Sequence, residues 1–157
     1  MPRPPFKFSA HTRVGFSDTD AQGVVYYGRY MPYFDLAWAE YHRSLGMLRS
    51  GPQDKQFVMR AMSVEYFEPA RFDDPIEVDV RISRIGTSSV TYEFAAYLEG
   101  EQLAVTATQT LVLIDLADRQ PCPVPEWWRE KIRAFEGGDV DAYLDEQSAP
   151  TRSPRSG

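Results

Sequence analysis

Residues 16–30 read FSDTDAQGVVYYGRY. Two carboxylates, Asp18 and Asp20, stand one residue apart, ahead of Gly23 and an aromatic-rich segment. Alone, an Asp-x-Asp pair most simply caps a helix or closes a turn, because aspartate accepts hydrogen bonds from free backbone amides. The surroundings add a second reading. The pair follows a β-prone stretch and precedes the main helical pattern, so the amides of Val25, Tyr26 and Tyr27 fall near a helix start. Such amides carry partial positive charge and can hold a developing oxyanion. A carboxylate set against them forms a hydrolytic pair, one side acting on the nucleophile and the other on a carbonyl oxygen. Gly23 is read as the residue that gives the turn its backbone freedom.

The elements that must position these groups follow from periodicity. Tyr30, Tyr33, Phe34, Ala37, Trp38, Tyr41, Leu45 and Leu48 recur at three- and four-residue steps, which predicts an amphipathic helix from Tyr30 to Leu48. Gly46 lies near its end and Gly51-Pro52 is expected to close it. An opening strand is predicted in PFKFSAHTRVGF. After the helix, FVMRAMSVEYF places Val58, Met62, Val64 and Tyr66 on one face, with Arg60 as the exception. Ile76, Val78, Val80 and Ile82 alternate with Glu77, Asp79, Arg81 and Ser83, the pattern of a half-buried strand. Val90 to Leu98 alternates likewise, and Leu103 to Ile114 is a long Thr-rich strand. PEWWREKIRAF predicts a short helix with Pro125 in its first turn.

Strands joined by tight turns are antiparallel. One helix with a broad apolar face must cover such a sheet, so the expected class is α+β, with about five strands around one long helix. Unpaired sheet edges favour edge-to-edge pairing, which predicts a homodimer. The expected domain spans 1–147, and the Ser-, Pro-, Arg- and Gly-rich composition of 148–157 predicts disorder there. Cys122 is the single cysteine, so no intrachain disulfide can form, which suits a reducing cytoplasm. No secretion signal is expected in the proline-broken start, and no apolar run is long enough to span a bilayer. A net charge of −6 argues against nucleic acid as the main partner. No histidine pair or cysteine cluster stands at metal-ligand spacing, so neither metal nor cofactor is expected.

The segment SDTDAQGVVYYGRY, together with MSVEYFEPARFDDPIEV, resembles the hot-dog-fold acyl-CoA thioesterases of the 4-hydroxybenzoyl-CoA thioesterase and YbgC-like branch. The resemblance covers about residues 12–135. It implies a sheet curled around a long helix, dimerised edge to edge. It also implies that Asp20 is the catalytic carboxylate, acting as nucleophile on the thioester carbonyl or as general base for water. The carbonyl-polarising donor is implied to be the backbone amide of Tyr27. Close YbgC-like members carry histidine there and the hydroxybenzoyl branch carries tyrosine, so a mechanism needing imidazole does not transfer. Asp18 has no counterpart role and is read as a structural cap or turn residue.

Coenzyme A brings phosphates, so cations are expected near the mouth of the site. In RIGTSS only Arg84 is charged, with Ser88 and Ser89 as hydrogen-bond donors. Arg71 is expected to stabilise its turn near Asp73 and Asp74, and Arg152 and Arg155 fall in the expected tail. Tyr30, Tyr33, Phe34 and Trp38 are candidates for an acyl pocket, although aromatics at helical spacing more often fill a core. The expected substrate is an acyl-CoA or acyl-carrier-protein thioester. Two rivals remain on the same scaffold. An acyl-CoA hydratase would pair the aspartate with a histidine five residues on, where this chain has Val25. His11 and His42 are its only histidines, and His42 is expected to be a solvated helix residue. A non-catalytic acyl-CoA-binding module is the other rival.

Overall fold

The alternation of β-branched and polar residues after position 75 produces the central strands of the sheet. The computed structural model describes residues 1–49, 53–138 and 140. Among these, β1 (Phe8–Arg13), β2 (Lys55–Tyr66), β3 (Pro75–Ile85), β4 (Ser89–Leu98) and β5 (Gln102–Asp115) form one antiparallel sheet in the order β1-β3-β4-β5-β2. Helix α1 (Met31–Ser44) lies across β1 and β3, and α2 (Glu126–Glu136) packs on β3. The α+β class and the single long helix agree with the sequence reading. The boundary expected at 147–148, the tail beyond it and the Gly51-Pro52 closure lie outside the described residues.

The core forms where α1 meets the sheet. Phe34, Ala37 and Tyr41 are fully buried, together with Val78, Val80, Ile82 and Phe94. Phe34 packs on Phe94 with ring centroids 5.1 Å apart, and Phe8 meets Tyr41 edge-on at 5.9 Å. The expected inward residues of β3 are therefore the ones that fill this core.

Several details differ from the periodic reading, each for a local reason. The aromatic start of the helix is a separate 3-10 turn, Tyr27–Tyr30, with α1 beginning at Met31. Pro32 sits in the first turn of α1, where a missing N–H costs no helical bond. The helix ends at Ser44 rather than Leu48. Gly46 takes φ +69°, its N–H bonds to the Arg43 carbonyl at 3.0 Å, and the Met47 N–H returns to the His42 carbonyl at 2.8 Å. This left-handed closure satisfies the last carbonyls and ends the helix. Pro125 precedes α2 as an extended cap rather than lying in its first turn.

In β2 the register shifts between Met59 and Ala61 against β5, which leaves Arg60 as the extra residue of a bulge. Passing a bulge reverses which residues share a face. Val58 pairs with Val112, whereas Met62, Val64 and Tyr66 pair with Gln109, Ala107 and Val105, so Val58 lies on the opposite face from those three. Asp79, expected to face solvent, is fully buried. The N-terminal arm covers it: the Arg3 N–H donates to Asp79 Oδ2 at 3.0 Å, and the Arg3 guanidinium donates to Glu77 Oε1 at 3.1 Å. That guanidinium also stacks 3.6 Å from the Tyr97 ring centroid. Burial raises the Asp79 pKa, opposed by the hydrogen bond from Arg3.

Candidate active site

Asp20 opens a tight turn. Its N–H bonds to the Val24 carbonyl at 2.9 Å, and its carbonyl accepts from the Gly23 N–H at 3.0 Å. Gly23 takes φ +79°, a conformation that a Cβ would strain. Thr19 pairs with Val25 across this turn, so residues 19–25 form a short hairpin, while Asp18, just before it, caps the 3-10 turn Phe16–Asp18 through the Gly15 N–H. Val24 in turn pairs with Arg71, and the Val25 N–H bonds to the Ala70 carbonyl at 2.8 Å. The two segments that carried the family resemblance, far apart in sequence, are thus stitched together by backbone bonds.

The two acids do different things. Asp18 Oδ2 accepts from the Gly15 N–H at 3.1 Å and from the Tyr33 hydroxyl at 2.7 Å. Its Oδ1 lies 3.9 Å from Arg29 Nε, so the whole carboxylate is engaged. This ties the hairpin to α1. Burial and the neighbouring Asp18 carboxylate both push the Tyr33 phenol pKa upward, so Tyr33 stays protonated and donates. Asp20 Oδ1 accepts from the Gln22 N–H at 2.8 Å, while Oδ2 has no hydrogen bond among the described residues. One oxygen is therefore held by a local turn and the other has no protein partner among the described residues.

The backbone donors sort as sharply. Val25 N–H is used by Ala70, and Tyr26 N–H bonds to the Asp18 carbonyl at 2.9 Å. Neither can point at a ligand, contrary to the expectation for these two. Tyr27 and Gly28 open the 3-10 turn, whose first closing bond runs from the Arg29 N–H to the Tyr26 carbonyl at 2.8 Å. The first amides of a helical turn have no acceptor within it, so the Tyr27 N–H remains available. The Tyr27 ring is exposed and packs at a 40° tilt against Tyr26, and the Tyr27 carbonyl accepts from the Tyr66 hydroxyl at 2.9 Å.

A depression of about 270 Å³ adjoins this turn. Val25, Tyr27, Tyr30, Tyr66, Phe67 and Pro69 line it. Tyr30 contributes its ring edge-on to Tyr66, and its hydroxyl accepts from the Ala70 N–H at 3.3 Å. Burial raises its pKa. Tyr66 and Phe67 both lie in the second resembling segment, but no residue pattern in the sequence marks them as site residues. Their exposure at a strand end is the signal that marks them, and it is visible only in three dimensions. Asp20 does not line this depression in the single chain.

The other candidates lie elsewhere. Phe34 has no exposed surface and is a core residue rather than a pocket wall. Arg84 sits at the far end of β3, Ser88 in the β3–β4 turn and Ser89 at the start of β4. The Gly86 and Thr87 carbonyls of that turn accept from the Arg129 guanidinium of α2, at 2.5 and 2.8 Å. β3 leaves the Arg71–Asp74 turn at its other end, so about 30 Å of strand separates these residues from the hairpin. One chain does not bring them together with Asp20. Arg71 holds its turn through its backbone N–H, which donates to Asp74 Oδ2 at 2.8 Å. His42 is buried rather than solvated, because its ring turns inward and meets the Tyr92 hydroxyl at 2.7 Å. Burial lowers its pKa to about 4. Among the described residues, no three His, Cys, Asp or Glu side chains converge as a metal site.

Comparison with known proteins decides the family. Residues 14–132 match the family model described as the thioesterase-like superfamily. A Haemophilus influenzae acyl-CoA thioesterase YbgC is 30% identical over 122 residues, covering 76% of this chain and 89% of that protein. The chain belongs to the thioesterase-like superfamily, in its YbgC-like branch. It is a thioesterase with the hot-dog fold. The 1,4-dihydroxy-2-naphthoyl-CoA hydrolase of Thermosynechococcus vestitus is 28% identical over 117 residues, covering 72% of this chain and 80% of that one. The solved structure of a Thermus thermophilus thioesterase complexed with coenzyme A and zinc superposes with a TM-score of 0.73. It is 31% identical, covering 86% of this chain and 98% of its own. No helix among the described residues is long and apolar enough to cross a membrane.

Proposed function

We propose that this thioesterase hydrolyses an acyl-CoA or acyl-carrier-protein thioester to a free acid and a thiol. Asp20 presents Oδ2 to the thioester carbonyl carbon, or to a water that attacks it. The Tyr27 N–H binds the carbonyl oxygen and stabilises the charge that develops there. In the nucleophilic route, a C–O bond forms to Asp20 as the C–S bond breaks, and water then opens the mixed anhydride. In the general-base route, Asp20 takes the proton of the attacking water and the tetrahedral intermediate expels the thiolate. The observation that carries this reading is the contrast between the acids: Asp18 is fully engaged in holding the hairpin, whereas Asp20 keeps one oxygen free. The relatives named for acyl-CoA hydrolysis support the substrate class.

The active form is a homodimer, or a tetramer built from it, working in the cytoplasm. β2 is an edge strand whose Met59, Met62 and Tyr66 are about half exposed. Antiparallel pairing of two such edges sets the Lys55 end of one copy against the Tyr66 end of the other. That arrangement carries the Ser88–Ser89 turn and the Arg84 end of one sheet toward the Tyr27 depression of its partner, where coenzyme A phosphates need donors. A panel of aryl, short, medium and long acyl-CoAs, assayed for thiol release, tests the reading. Release from at least one member is expected; tight binding of the panel with no thiol released from any member contradicts it.

A further inference from the structure

The turn that joins β3 to β4 has its carbonyls drawn inward. Gly86 and Thr87 give theirs to the Arg129 guanidinium of α2, at 2.5 and 2.8 Å. The Thr87 carbonyl also accepts from the Val124 N–H at 2.9 Å, and the Ser88 carbonyl from the Leu113 N–H at 2.8 Å. Within one planar trans peptide unit, the C=O and the following residue's N–H point opposite ways. Drawing in the Gly86 and Thr87 carbonyls therefore turns the N–H groups of Thr87 and Ser88 outward. Neither the N–H nor the hydroxyl of Thr87 or Ser88 has a hydrogen-bond partner among the described residues. Successive outward amides of this kind make a concave donor set for an anion.

Arg129 also brings the charge that the turn lacks. Arg84, the only cation of RIGTSS, lies beside Arg81, Thr91, Glu93 and Thr108 in a depression on the sheet face away from α1. α2 instead sets a guanidinium behind the turn, its Nε held by the Val124 carbonyl at 3.0 Å. Glu126, the acid whose field reaches Arg129, is itself paired with Arg133 at 2.9 Å. We propose that Arg129 is a positioning residue for the coenzyme A phosphates: it holds the β3–β4 turn with its amides outward and places a positive charge behind them. This rests on the acyl-CoA reading proposed above. It makes the nucleotide end of the substrate matter, which an acyl-pantetheine thioester lacks.

Binding of adenosine 3′,5′-bisphosphate, the nucleotide end of coenzyme A, to the full-length protein is measured by titration calorimetry at low ionic strength, a readout that needs no turnover. Arg129→Gln should weaken it about ten-fold. In the thiol-release assay the same variant should raise KM for the best acyl-CoA about ten-fold, with kcat within two-fold of wild type. Its KM for the matching acyl-pantetheine should not change, whereas a merely structural role would move both substrates together. Arg129→Lys keeps the charge and loses the fork that spans two carbonyls. It should weaken the nucleotide at least three-fold, and it stands in for Arg129→Gln if a melting curve shows that variant unfolded. The proposal is overturned if the wild type does not bind the nucleotide, if a folded variant binds it with full affinity, or if KM rises equally for both substrates. Nucleotide binding that is lost in Arg129→Gln, in a wild type that releases no thiol from any thioester, would strike the hydrolytic reading and support this one.

Discussion

Two aspartates separated by one threonine are chemically identical and structurally unequal. Asp18 spends both oxygens on Gly15, Tyr33 and Arg29, so Asp18→Asn should reduce stability by about 0.5–2 kcal/mol, the range for a lost cap. Urea unfolding of the purified variant measures it. Tyr27 acts through its main chain in the proposed mechanism, so Tyr27→Phe should retain turnover within a few-fold. Loss of nearly all activity in that variant would make the phenol a participant. The motif itself could be read in the sequence, because the resemblance singled out Asp20 and the Tyr27 amide. The fate of the neighbouring amides could not. Val25 and Tyr26 are silenced by the carbonyls of Ala70 and Asp18, and those partners are supplied by tertiary bends.

Elements with strong alternation or helical period were legible almost throughout: β3, β4, β5 and the body of α1 follow the expected residues. Local period breaks down where a long-range contact or an irregularity takes over. Asp79 is buried because Arg3, 76 residues away, folds over it. Val58 changes face because one extra residue enters β2. α1 stops early because Gly46 can take a left-handed φ, and Gly46→Ala should cost about 1–2 kcal/mol by the same argument, measurable as a lower melting temperature. His42 misled because charged sequence neighbours say nothing about which way a helical residue points. It is ringed by Trp38, Tyr41, Tyr92 and Trp128, none of them charged at neutral pH. Burial lowers its pKa from 6.5 to about 4. Above pH 6.5 the residue is neutral folded and unfolded. As pH falls from 6.5 toward 4, the unfolded chain takes a proton that the folded chain resists, so stability falls. The loss is about 3 kcal/mol at most. Buried Asp79 and Glu136 have raised values and act with the opposite sign, so the comparison is between the wild type and His42→Phe. Denaturation midpoints at pH 7 and 4.5 should converge less in the wild type than in the variant; identical pH profiles would show that His42 titrates normally.

At the scale of the whole molecule, one sheet and one long helix were expected, and their pairing into α+β is what the structure contains. The sequence could not say that the hairpin and the Ser88–Ser89 turn stand at opposite ends of the same chain. That separation makes a second copy useful for binding a substrate as long as coenzyme A. If β2 pairs edge to edge as proposed, Met62→Lys, which places a charge on that exposed edge, should shift the sedimentation profile of the proposed dimer toward monomer, with activity falling in parallel. The most direct test of the hydrolytic account is the turnover of Asp20→Asn against wild type on the best acyl-CoA of the panel, measured by thiol release in protein shown to be folded. A drop of at least a hundred-fold is predicted; turnover equal to wild type would contradict the account.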